Sequence, residues 1–321
     1  MKAIVFEKYG PPELLRYAEV PDPSPGAGDV LVRVKAASVN AGDMVVMRGR
    51  PPMLRLVFGL RRPKKRILGR AVAGTVEAVG PKVTAWKPGD EVVGEVSQLG
   101  FAEYVAAPAA HFVAIPEGVK HETAATLPIA ATSALQALRV CRIADGHKVV
   151  VNGASGGVGT FAVQLAAQLG ARVTAVCSGR NAAAATALGA ERVVDYNRED
   201  FTDTAERYDA ILDLVGNHPL SAVRRLIKPG GTYLTAGGGS DSFWGPFGRM
   251  IAIGAGGPFV PQRLRALAST RNGEDLAHLA RLVAEGAITP AVERTCPLAE
   301  APAAIADLEQ EHARGKVVFT V

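Results

Sequence analysis

A glycine-rich turn between a β-branched run and an amphipathic segment constrains this sequence most. The apolar run 148–151 leads into a glycine cluster at 152–159, and apolar residues then recur at helical spacing from 158 to 169. Gly170 stands where a glycine commonly ends a helix. A strand, tight turn and helix of this kind can hold a dinucleotide pyrophosphate on the N–H groups of the helix start. The turn reads Ala-x-Gly-x-x-Gly, with Ala154 in place of the first glycine. The alternative to a dinucleotide site is a tight turn that binds nothing.

The length and composition predict a two-domain protein of the reducing cytoplasm. The chain has 321 residues, of which 48% are apolar, and this length exceeds the usual size of one domain. Lysine and arginine exceed the acidic residues by 36 − 31 = 5, which suits a phosphate-bearing cofactor without demanding nucleic acid. The three cysteines have neither disulfide-framework nor zinc-finger spacing, which favours free thiols. The N-terminus does not resemble a signal peptide, so we expect a cytoplasmic location and no membrane partner.

The first 119 residues read as short strands separated by glycine and proline, which predicts a β-rich domain of antiparallel or barrel type. The predicted strands cover residues 4–6, 30–36, 72–79, 91–96, 102–106 and 112–115. Two stretches of this part contain candidate catalytic residues: residues 38–49 and residues 69–80.

A segment between these two stretches combines apolar and basic residues. Residues 53–60 are apolar but interrupted by Arg55, and they either pack into the protein or wall a substrate mouth, with packing favoured. Residues 61–66 read Arg-Arg-Pro-Lys-Lys-Arg. A run of charges like this most often forms a solvated loop, and the alternative is a nuclear-import or nucleic-acid-binding patch.

From about residue 120, helical patterns alternate with apolar strands, which predicts a parallel sheet. After the first strand at 148–151, the predicted strands cover residues 171–177, 192–196, 208–216 and 231–237. Glycine-dense residues 237–257 read as a mobile loop over the substrate. The last 60 residues alternate again and end on a strand at 316–321, so the chain returns to the first domain. The predicted domains are therefore 1–119 with 262–321, and 120–261 between them.

The end of the second predicted parallel strand indicates which dinucleotide binds. An NAD site places an acid about 20 residues beyond the glycines, where it accepts from the ribose 2′-hydroxyl. Here the sequence is Ser178-Gly179-Arg180-Asn181, which has no carboxylate to repel a 2′-phosphate and offers a hydroxyl and a guanidinium to bind one. We therefore expect NADPH. The alternative is that Arg180 only solvates the start of a helix.

Taken together, these features resemble the zinc-independent quinone oxidoreductases of the medium-chain dehydrogenase/reductase superfamily, and the resemblance covers the whole chain. It rests on these stretches, in chain order: Met1-Lys2-Ala3; Asn40 and Asp43; Gly69 with Ala73-Gly74-Thr75-Val76; Phe101-Ala102-Glu103-Tyr104; Thr132-Ser133-Ala134-Leu135; the glycine motif at 152–159; and Gly315-Lys316-Val317-Val318.

The resemblance implies an α/β fold with a GroES-like β-rich catalytic domain and a Rossmann domain with a doubly wound parallel sheet. NADPH would lie in the cleft. The implied cofactor-binding residues are Ser155, Gly156, Gly157 and Val158 at the pyrophosphate, Ser178 and Arg180 at the 2′-phosphate, Tyr196 near the adenosine, and Thr132, Leu214, Val215 and Gly237 on the nicotinamide side. Lys316, in the last strand, would reach back towards the cofactor.

The zinc ligands of related alcohol dehydrogenases are missing. Those enzymes have a cysteine in the first chemical stretch, Gly-His-Glu in the second, and a run of four cysteines for a structural zinc. Here the first stretch has no cysteine, the second reads Gly69-Arg70-Ala71, and the six histidines show no paired spacing. Zinc needs a set of three or four Cys, His or carboxylate ligands, so we expect no metal.

Without zinc, the expected chemistry is hydride donation to a quinone or an α,β-unsaturated carbonyl, small molecules that hold the resulting charge on oxygen. Asn40 is the candidate catalytic residue because its side-chain amide could donate a hydrogen bond to that oxygen. The alternative is that this amide only forms hydrogen bonds within a turn of the protein. Arg48 is a weaker candidate donor. Met44 and Met47 stand where many relatives have an aromatic residue, so no tyrosine proton donor is implied and the proton would come from water.

Two other functions stay open at this point. One is reduction of enoyl thioesters, for which the basic run 61–66 would meet the phosphates of the carrier. The other is a non-catalytic NADPH-binding or structural protein on the same scaffold. An edge strand of the parallel sheet would also allow a homodimer.

Overall fold

The chain forms two compact units, one of which is built from both ends of the sequence. The computed structural model describes residues 1–236, residue 253, residues 260–310 and residues 314–321. The first unit comprises Met1–Thr132 and Arg271–Val321, and the second comprises Ser133–Thr270. Gly237 and all but one residue of the predicted loop 237–257 lie outside the described residues.

The described residues form strands and helices in the order expected for a β-rich part, an α/β part and a return. The strands are β1 (Lys2–Val5), β2 (Arg16–Glu19), β3 (Asp29–Ser38), β4 (Ala71–Val79), β5 (Glu91–Glu95), β6 (Tyr104–Pro108), β7 (Phe112–Ala114), β8 (Lys148–Asn152), β9 (Arg172–Cys177), β10 (Arg192–Asp195), β11 (Tyr208–Asp213), β12 (Ile227–Thr235), β13 (Arg263–Ala266), β14 (Val292–Pro297) and β15 (Lys316–Thr320). The α-helices are α1 (Ala41–Arg48), α2 (Arg55–Phe58), α3 (His121–Ala124), α4 (Thr132–Cys141), α5 (Gly157–Gln168), α6 (Ala182–Ala187), α7 (Leu220–Arg224), α8 (Gly273–Ala284) and α9 (Ala301–Gln310).

The first unit contains a seven-stranded sheet in the order β14-β15-β3-β4-β5-β7, with β6 also paired to β3. Its pairs are antiparallel except for β14 and β15. The centre of the sheet alternates: Val30, Val32 and Val34 of β3 are buried, whereas Arg33 and Lys35 face outwards. This alternation predicts a half-buried strand, and the β-rich domain is confirmed.

The helical residues just after position 120 belong to the first unit, so its boundary lies later than residue 119. Ala124 and Ala125 are fully buried in one apolar cluster with Ala36 of β3 and Val318 of β15. The Ser38 hydroxyl donates to the carbonyl of Ala125 at 2.7 Å. These contacts attach α3 to the sheet, although its helical pattern predicts membership of the following domain.

The second unit contains a six-stranded parallel sheet in the order β10-β9-β8-β11-β12-β13. This is the doubly wound order, and it confirms the predicted sheet. The sixth strand, β13, was predicted to lie in the first domain, but it pairs in register with β12 from Thr232 opposite Arg263 to Thr235 opposite Ala266. The strand order reverses between β8 and β11, and ligands of such sheets bind beyond the carboxyl ends of the strands at this point.

One helical stretch of the described residues, His121–Cys141, is long and apolar enough to cross a bilayer by length and composition. However, 78% of its apolar window is buried inside the protein. The core helix of a folded domain is buried in the same way, so this stretch is only weak evidence for a membrane span.

Candidate functional site

The turn between β8 and α5 brings the start of a helix close to the sheet. A Cβ on Gly159 would overlap the carbonyl oxygen of Gly153 and lie 2.8 Å from the Cα of Ala154, so only glycine permits this approach. Gly153 itself has a φ of +88°, which L side chains rarely adopt. The first N–H groups of α5 have no partner within the helix. The turn therefore fits a bound pyrophosphate, as its sequence predicts.

The candidate residues Ser155, Gly156, Gly157 and Val158 all lie in this turn and the first turn of α5, and each is only half-buried. A Cβ on Gly156 would meet nothing closer than the Gly153 carbonyl oxygen, at 3.4 Å. The space beside Gly156 is therefore open enough for another molecule to approach the backbone.

Leu214 and Val215 follow β11 and reach the same turn. A Cβ on Gly153 would lie 2.9 Å from Val215 Cγ2 and 3.4 Å from Leu214 Cβ. Val215 is 46% exposed. The structure thus brings together the pyrophosphate candidates after β8 and two of the nicotinamide candidates after β11.

A buried carboxylate that sequence reasoning missed holds these strand ends together. Asp213, fully buried, accepts from Asn152 Nδ2 at 2.9 Å, from Tyr233 OH at 2.8 Å and from the Gly216 N–H at 2.8 Å. These donors come from β8, β12 and the loop after β11. An acid at the end of the apolar run 210–215 is the signal that could have found it, because a buried charge requires such partners.

A pocket of about 450 Å³ opens beyond the carboxyl ends of β9 and β10. Its lining residues are Ser178, Gly179, Arg180, Asp195, Tyr196, Asn197 and Arg198. Three of these, Ser178, Arg180 and Tyr196, are predicted cofactor-binding residues, and the structure brings them together. Arg198 was missed, although it lies in the loop after β10, whose carboxyl end is adjacent to that of β9 in a parallel sheet.

The pocket has one carboxylate, Asp195, whose Oδ1 is committed to a turn and whose Oδ2 lies 3.7 Å from Arg198 Nε. Asp195 accepts from the Asn197 N–H at 3.1 Å and from Asn197 Nδ2 at 3.0 Å. The backbone hydrogen bond from Asn197 is the main cause that lowers the pKa of Asp195, so the group is ionised at neutral pH. The two guanidinium groups of Arg180 and Arg198 carry more positive charge than this one carboxylate carries negative charge. A pocket with this excess of positive charge suits a phosphate monoester with two negative charges.

The first unit contains a second cluster, centred on Asn40, which directly precedes α1. The Asp43 carboxylate accepts from the Asn40 N–H at 2.9 Å, an N-terminal capping contact. Lys316 Nζ donates to Asn40 Oδ1 at 2.7 Å and to the carbonyl of Val39 at 2.5 Å. Asn40 Nδ2 donates to the carbonyl of Ser38 at 3.1 Å. Asn40, Asp43 and Lys316 are all buried, with 7%, 1% and 2% exposure.

Burial shifts both charged groups of this cluster towards neutrality. It raises the pKa of Asp43 to about 6, against the hydrogen bond from Asn40 and the positive charges of Arg70 and Lys316. It lowers the pKa of Lys316 to about 7, against the charge of Asp43. The capping role of Asp43 and the contact between Lys316 and Asn40 were not predicted. The Asn-x-x-Asp spacing before an apolar run is the signal for the capping carboxylate.

Arg70 occupies the place where the zinc-containing relatives have a histidine, and it pairs with the carboxylate of Glu95. A guanidinium stays protonated and is not a zinc ligand. Within the part of the chain that the structure describes, no three His, Cys, Asp or Glu side chains cluster as a metal site.

The remaining predicted residues have the following positions. Thr132 is the first residue of α4 and is 4% exposed. Gly237 lies outside the described residues. Arg48, the weaker candidate donor, forms two hydrogen bonds with Glu309, at 2.9 and 2.5 Å, so its guanidinium is already engaged.

All three thiols are buried and unpaired by disulfides. Burial raises the pKa of Cys141 to about 12 and also raises the pKa values of Cys177 and Cys296. None of them is therefore a ready nucleophile at neutral pH.

Two family models match the chain: one lies within the first unit, and the other runs from the second unit into the returning part of the first. Residues 26–117 match the alcohol dehydrogenase GroES-like domain, and residues 188–319 match the model described as zinc-binding dehydrogenase. The GroES-like domain implied by the resemblance is thereby confirmed.

Similar proteins match over essentially the whole chain. The chloroplast envelope quinone oxidoreductase homolog of Arabidopsis thaliana is 30% identical, covering 99% of this chain and 98% of that protein. The mitochondrial NAD(P)H oxidoreductase RTN4IP1 of Mus musculus is 33% identical, covering 100% of this chain and 89% of that protein.

The solved structure of the quinone oxidoreductase from Coxiella burnetii is 32% identical, with a TM-score of 0.89, and covers 100% of this chain and 99% of its own. With the glycine turn after β8 and the GroES-like unit, these similarities also establish a nicotinamide cofactor. The chain is an oxidoreductase that belongs to the quinone oxidoreductase family of the medium-chain dehydrogenase/reductase superfamily.

Proposed function

We propose that this oxidoreductase uses NADPH, without zinc, to reduce quinones or α,β-unsaturated carbonyls. The observation that carries the choice of NADPH is the pocket beyond β9 and β10, where Ser178, Arg180 and Arg198 offer a hydroxyl and two guanidinium groups. No acid stands at the end of β9, where an NAD site would place one.

In this proposal, the chain binds the cofactor with two different chemistries. The first turn of α5 binds the pyrophosphate with backbone N–H groups and the positive end of the helix dipole. Arg180 and Ser178 bind the 2′-phosphate by charge-assisted hydrogen bonds, and Tyr196 packs near the adenosine. The bound nicotinamide supplies the hydride, and the protein supplies orientation and electrostatics.

Asn40 is proposed to bind the substrate oxygen on which negative charge develops. Its amide orientation is fixed, because Lys316 donates to the carbonyl oxygen and leaves the NH₂ group as the donor. One N–H is used by the Ser38 carbonyl, and the second can serve the substrate. Donors fixed in a buried site stabilise such charge more strongly than donors in water.

Three observations support zinc independence. Arg70 replaces the histidine of the zinc enzymes, Ala71 replaces the following acid, and the stretch around Asn40 has no cysteine. The Arg70 guanidinium is paired with Glu95. Since the matching family model is that of zinc-binding dehydrogenases, metal analysis of the purified protein is the direct check.

The choice of cofactor is tested with Arg180→Gln. Loss of a charge-assisted hydrogen bond of about 1.5–3 kcal/mol should raise the KM for NADPH roughly 10–100-fold. The KM for NADH should change less than threefold, since NADH has no 2′-phosphate. Initial rates with both cofactors and one saturating quinone measure this difference.

The matched control is Arg207→Gln, which removes an exposed guanidinium from the same unit and should leave both KM values unchanged. Equal effects of Arg180→Gln on NADPH and NADH would contradict the proposed 2′-phosphate contact. A wild-type preference for NADH would contradict the choice of NADPH itself.

The acceptor class is tested with a panel of quinones, enals and an enoyl-CoA at fixed NADPH concentration. We expect turnover with quinones or enals. Turnover confined to enoyl-CoA would replace this proposal by the enoyl-thioester alternative.

A non-catalytic role is no longer favoured, because the chain belongs to a family of oxidoreductases. The cytoplasmic location and the homodimer stay predictions.

A further inference from the structure

Residues 53–66, here called the apolar-basic segment, present a hydrophobic face to solvent. Met53, Leu56, Val57 and Leu60 are 42%, 72%, 64% and 66% exposed. Met53 lies in a short 3₁₀ turn, Leu56 and Val57 lie on α2, and Leu60 follows Gly59, where this helix ends. Such a face is normally buried, and the sequence favours packing; that expectation is wrong for these four side chains. Apolar residues clustered in this way mark an interaction surface.

The exposed face is held in place from its other side. Phe58 packs against the apolar core of the first unit. The Tyr9 hydroxyl donates to the carbonyl of Gly59 at 2.7 Å. The Arg55 guanidinium lies 4.9 Å from the centre of the Tyr9 ring, and its Nε donates to the carbonyl of Gly49 at 3.0 Å. The outward direction of Leu56, Val57 and Leu60 is therefore a feature of the folded unit.

Positive charge follows directly after this face. Arg61, Arg62, Lys64, Lys65 and Arg66 are all exposed. Among the described residues, no carboxylate forms an ion pair with any of these five. Within the described part of the chain, the Lys65 ammonium donates to the carbonyl of Ser97 at 2.6 Å. The charge of the segment is thus available to a partner.

We propose that the apolar-basic segment binds the surface of a lipid bilayer that contains anionic lipids. Leu56, Val57 and Leu60 would enter the boundary between headgroups and acyl chains, while the five basic residues contact anionic headgroups. Each basic residue near such a surface adds attraction that falls off within a Debye length. This binding is peripheral, so it is compatible with the expected cytoplasmic location. It replaces the expectation of no membrane partner.

The combination of features favours a bilayer over other partners. A nucleic acid would match the cations but not four exposed aliphatic side chains. A second copy of this segment would bring two positive runs together, which is unfavourable. An anionic bilayer matches both the apolar and the basic residues of one continuous stretch.

The test is co-sedimentation of the full-length protein with vesicles in the absence of any cofactor or substrate, so it is independent of catalysis. One set contains phosphatidylcholine only, and the other contains phosphatidylcholine and phosphatidylglycerol at 70:30. We expect binding to the anionic vesicles in 50 mM NaCl, at least tenfold weaker binding to neutral vesicles, and loss of most binding in 500 mM NaCl.

Two variants separate the contributions. The triple change Arg61→Glu, Arg62→Glu and Lys64→Glu should lower the partition coefficient by about 100-fold or more. The double change Leu56→Ser and Leu60→Ser should lower it at least tenfold. The charge-matched control Lys35→Glu, Lys82→Glu and Lys120→Glu alters exposed lysines elsewhere on the same unit and should keep most of the binding. Val140→Ser with Leu169→Ser is the control for exposed apolar residues.

Three results would overturn the proposal. The first is no sedimentation with anionic vesicles in 50 mM NaCl. The second is equal loss of binding in the segment variants and their matched controls, which would indicate only a general charge or hydrophobicity effect. The third is binding of a DNA or heparin probe through residues 61–66 without any binding to vesicles. The far-UV circular dichroism of each variant verifies that it is folded.

Discussion

Asn40, Asp43 and Lys316 show where sequence reasoning about single residues succeeds and where it stops. The motif and the last strand identify Asn40 and Lys316 as residues of interest, but not their mutual contact. That contact depends on the antiparallel register of β15 with β3, in which Val318 lies opposite Ser38. Residues 276 positions apart are then joined by a hydrogen bond. Strand register across such a separation follows from tertiary packing, which no local pattern specifies.

The buried Lys316 should make stability depend on pH in a defined direction. Its pKa is about 7 in the folded protein against an ordinary value of 10.5, so between these pH values the unfolded chain binds one more proton. The free energy of unfolding should therefore rise with pH in this range. Relative to Lys316→Met, the wild type should gain up to about 3 kcal/mol between pH 7.5 and 9.5. Urea unfolding at several pH values measures this difference.

Lys35→Met provides the control, since Lys35 is exposed on β3 and no ion pair joins it to the described residues. Its free energy of unfolding should follow the wild type at every pH. If the wild type and Lys316→Met show the same pH dependence between pH 7.5 and 9.5, the ammonium is not held in a desolvated site.

At the level of elements, segments with a strong apolar period are predicted well and short polar strands are missed. The glycine cluster and the apolar period from residue 158 predict α5, which spans Gly157–Gln168. By contrast, β2 is mostly exposed, and β13 has only four residues with two arginines. Both exist because a neighbouring strand offers backbone hydrogen bonds, β1 to β2 and β12 to β13. A short polar sequence carries little sign of such a partner.

Two glycines of the β8–α5 turn should respond differently to alanine. Gly159→Ala would overlap the Gly153 carbonyl and should lower the free energy of unfolding by about 1–3 kcal/mol. Gly156→Ala has a permitted φ of −79° and no close neighbour, so stability should change by less than about 0.5 kcal/mol. If the turn binds the pyrophosphate, Gly156→Ala should still weaken NADPH binding several-fold.

Urea unfolding and fluorescence titration with NADPH separate the two effects. A Gly156→Ala variant with wild-type NADPH affinity would argue against close approach of the cofactor at this glycine. A Gly159→Ala variant with unchanged stability would mean that the first turn of α5 can shift away from Gly153.

At the level of the whole chain, the fold class follows from the alternation of patterns, but the division into units does not. Sequence periodicity places residues 120–132 with the helices that follow, whereas the structure joins them to β3. It places residues 263–266 with the returning segment, whereas they complete the parallel sheet. In both cases the deciding contacts are between segments distant in sequence. The return itself was predicted, and β15 lies between β14 and β3 in the sheet of the first unit.

The returning strand should be essential to the stability of the first unit. Phe319 of β15 is fully buried, and its ring meets that of Phe101 edge-to-face at 5.1 Å between centroids. Phe319→Ala should therefore lower the free energy of unfolding by about 3–5 kcal/mol. Val321→Ala, two residues further along and only half-buried, should cost less than about 1 kcal/mol. Chemical denaturation followed by circular dichroism tests this contrast; equal losses would show that β15 is not held by its core side chain.

The burial of the three thiols should protect the protein from alkylation by electrophilic substrates. Quinones and enals are electrophiles that add to thiolates, so an enzyme with the substrates proposed above would risk alkylation by them. Cys141, Cys177 and Cys296 are enclosed and kept protonated, because burial raises the pKa of each. The folded protein should therefore react with a thiol-specific dye only after denaturation, and prolonged exposure to excess quinone should leave its mass unchanged. A mass increase of one quinone per chain in the native protein would reveal an accessible thiolate.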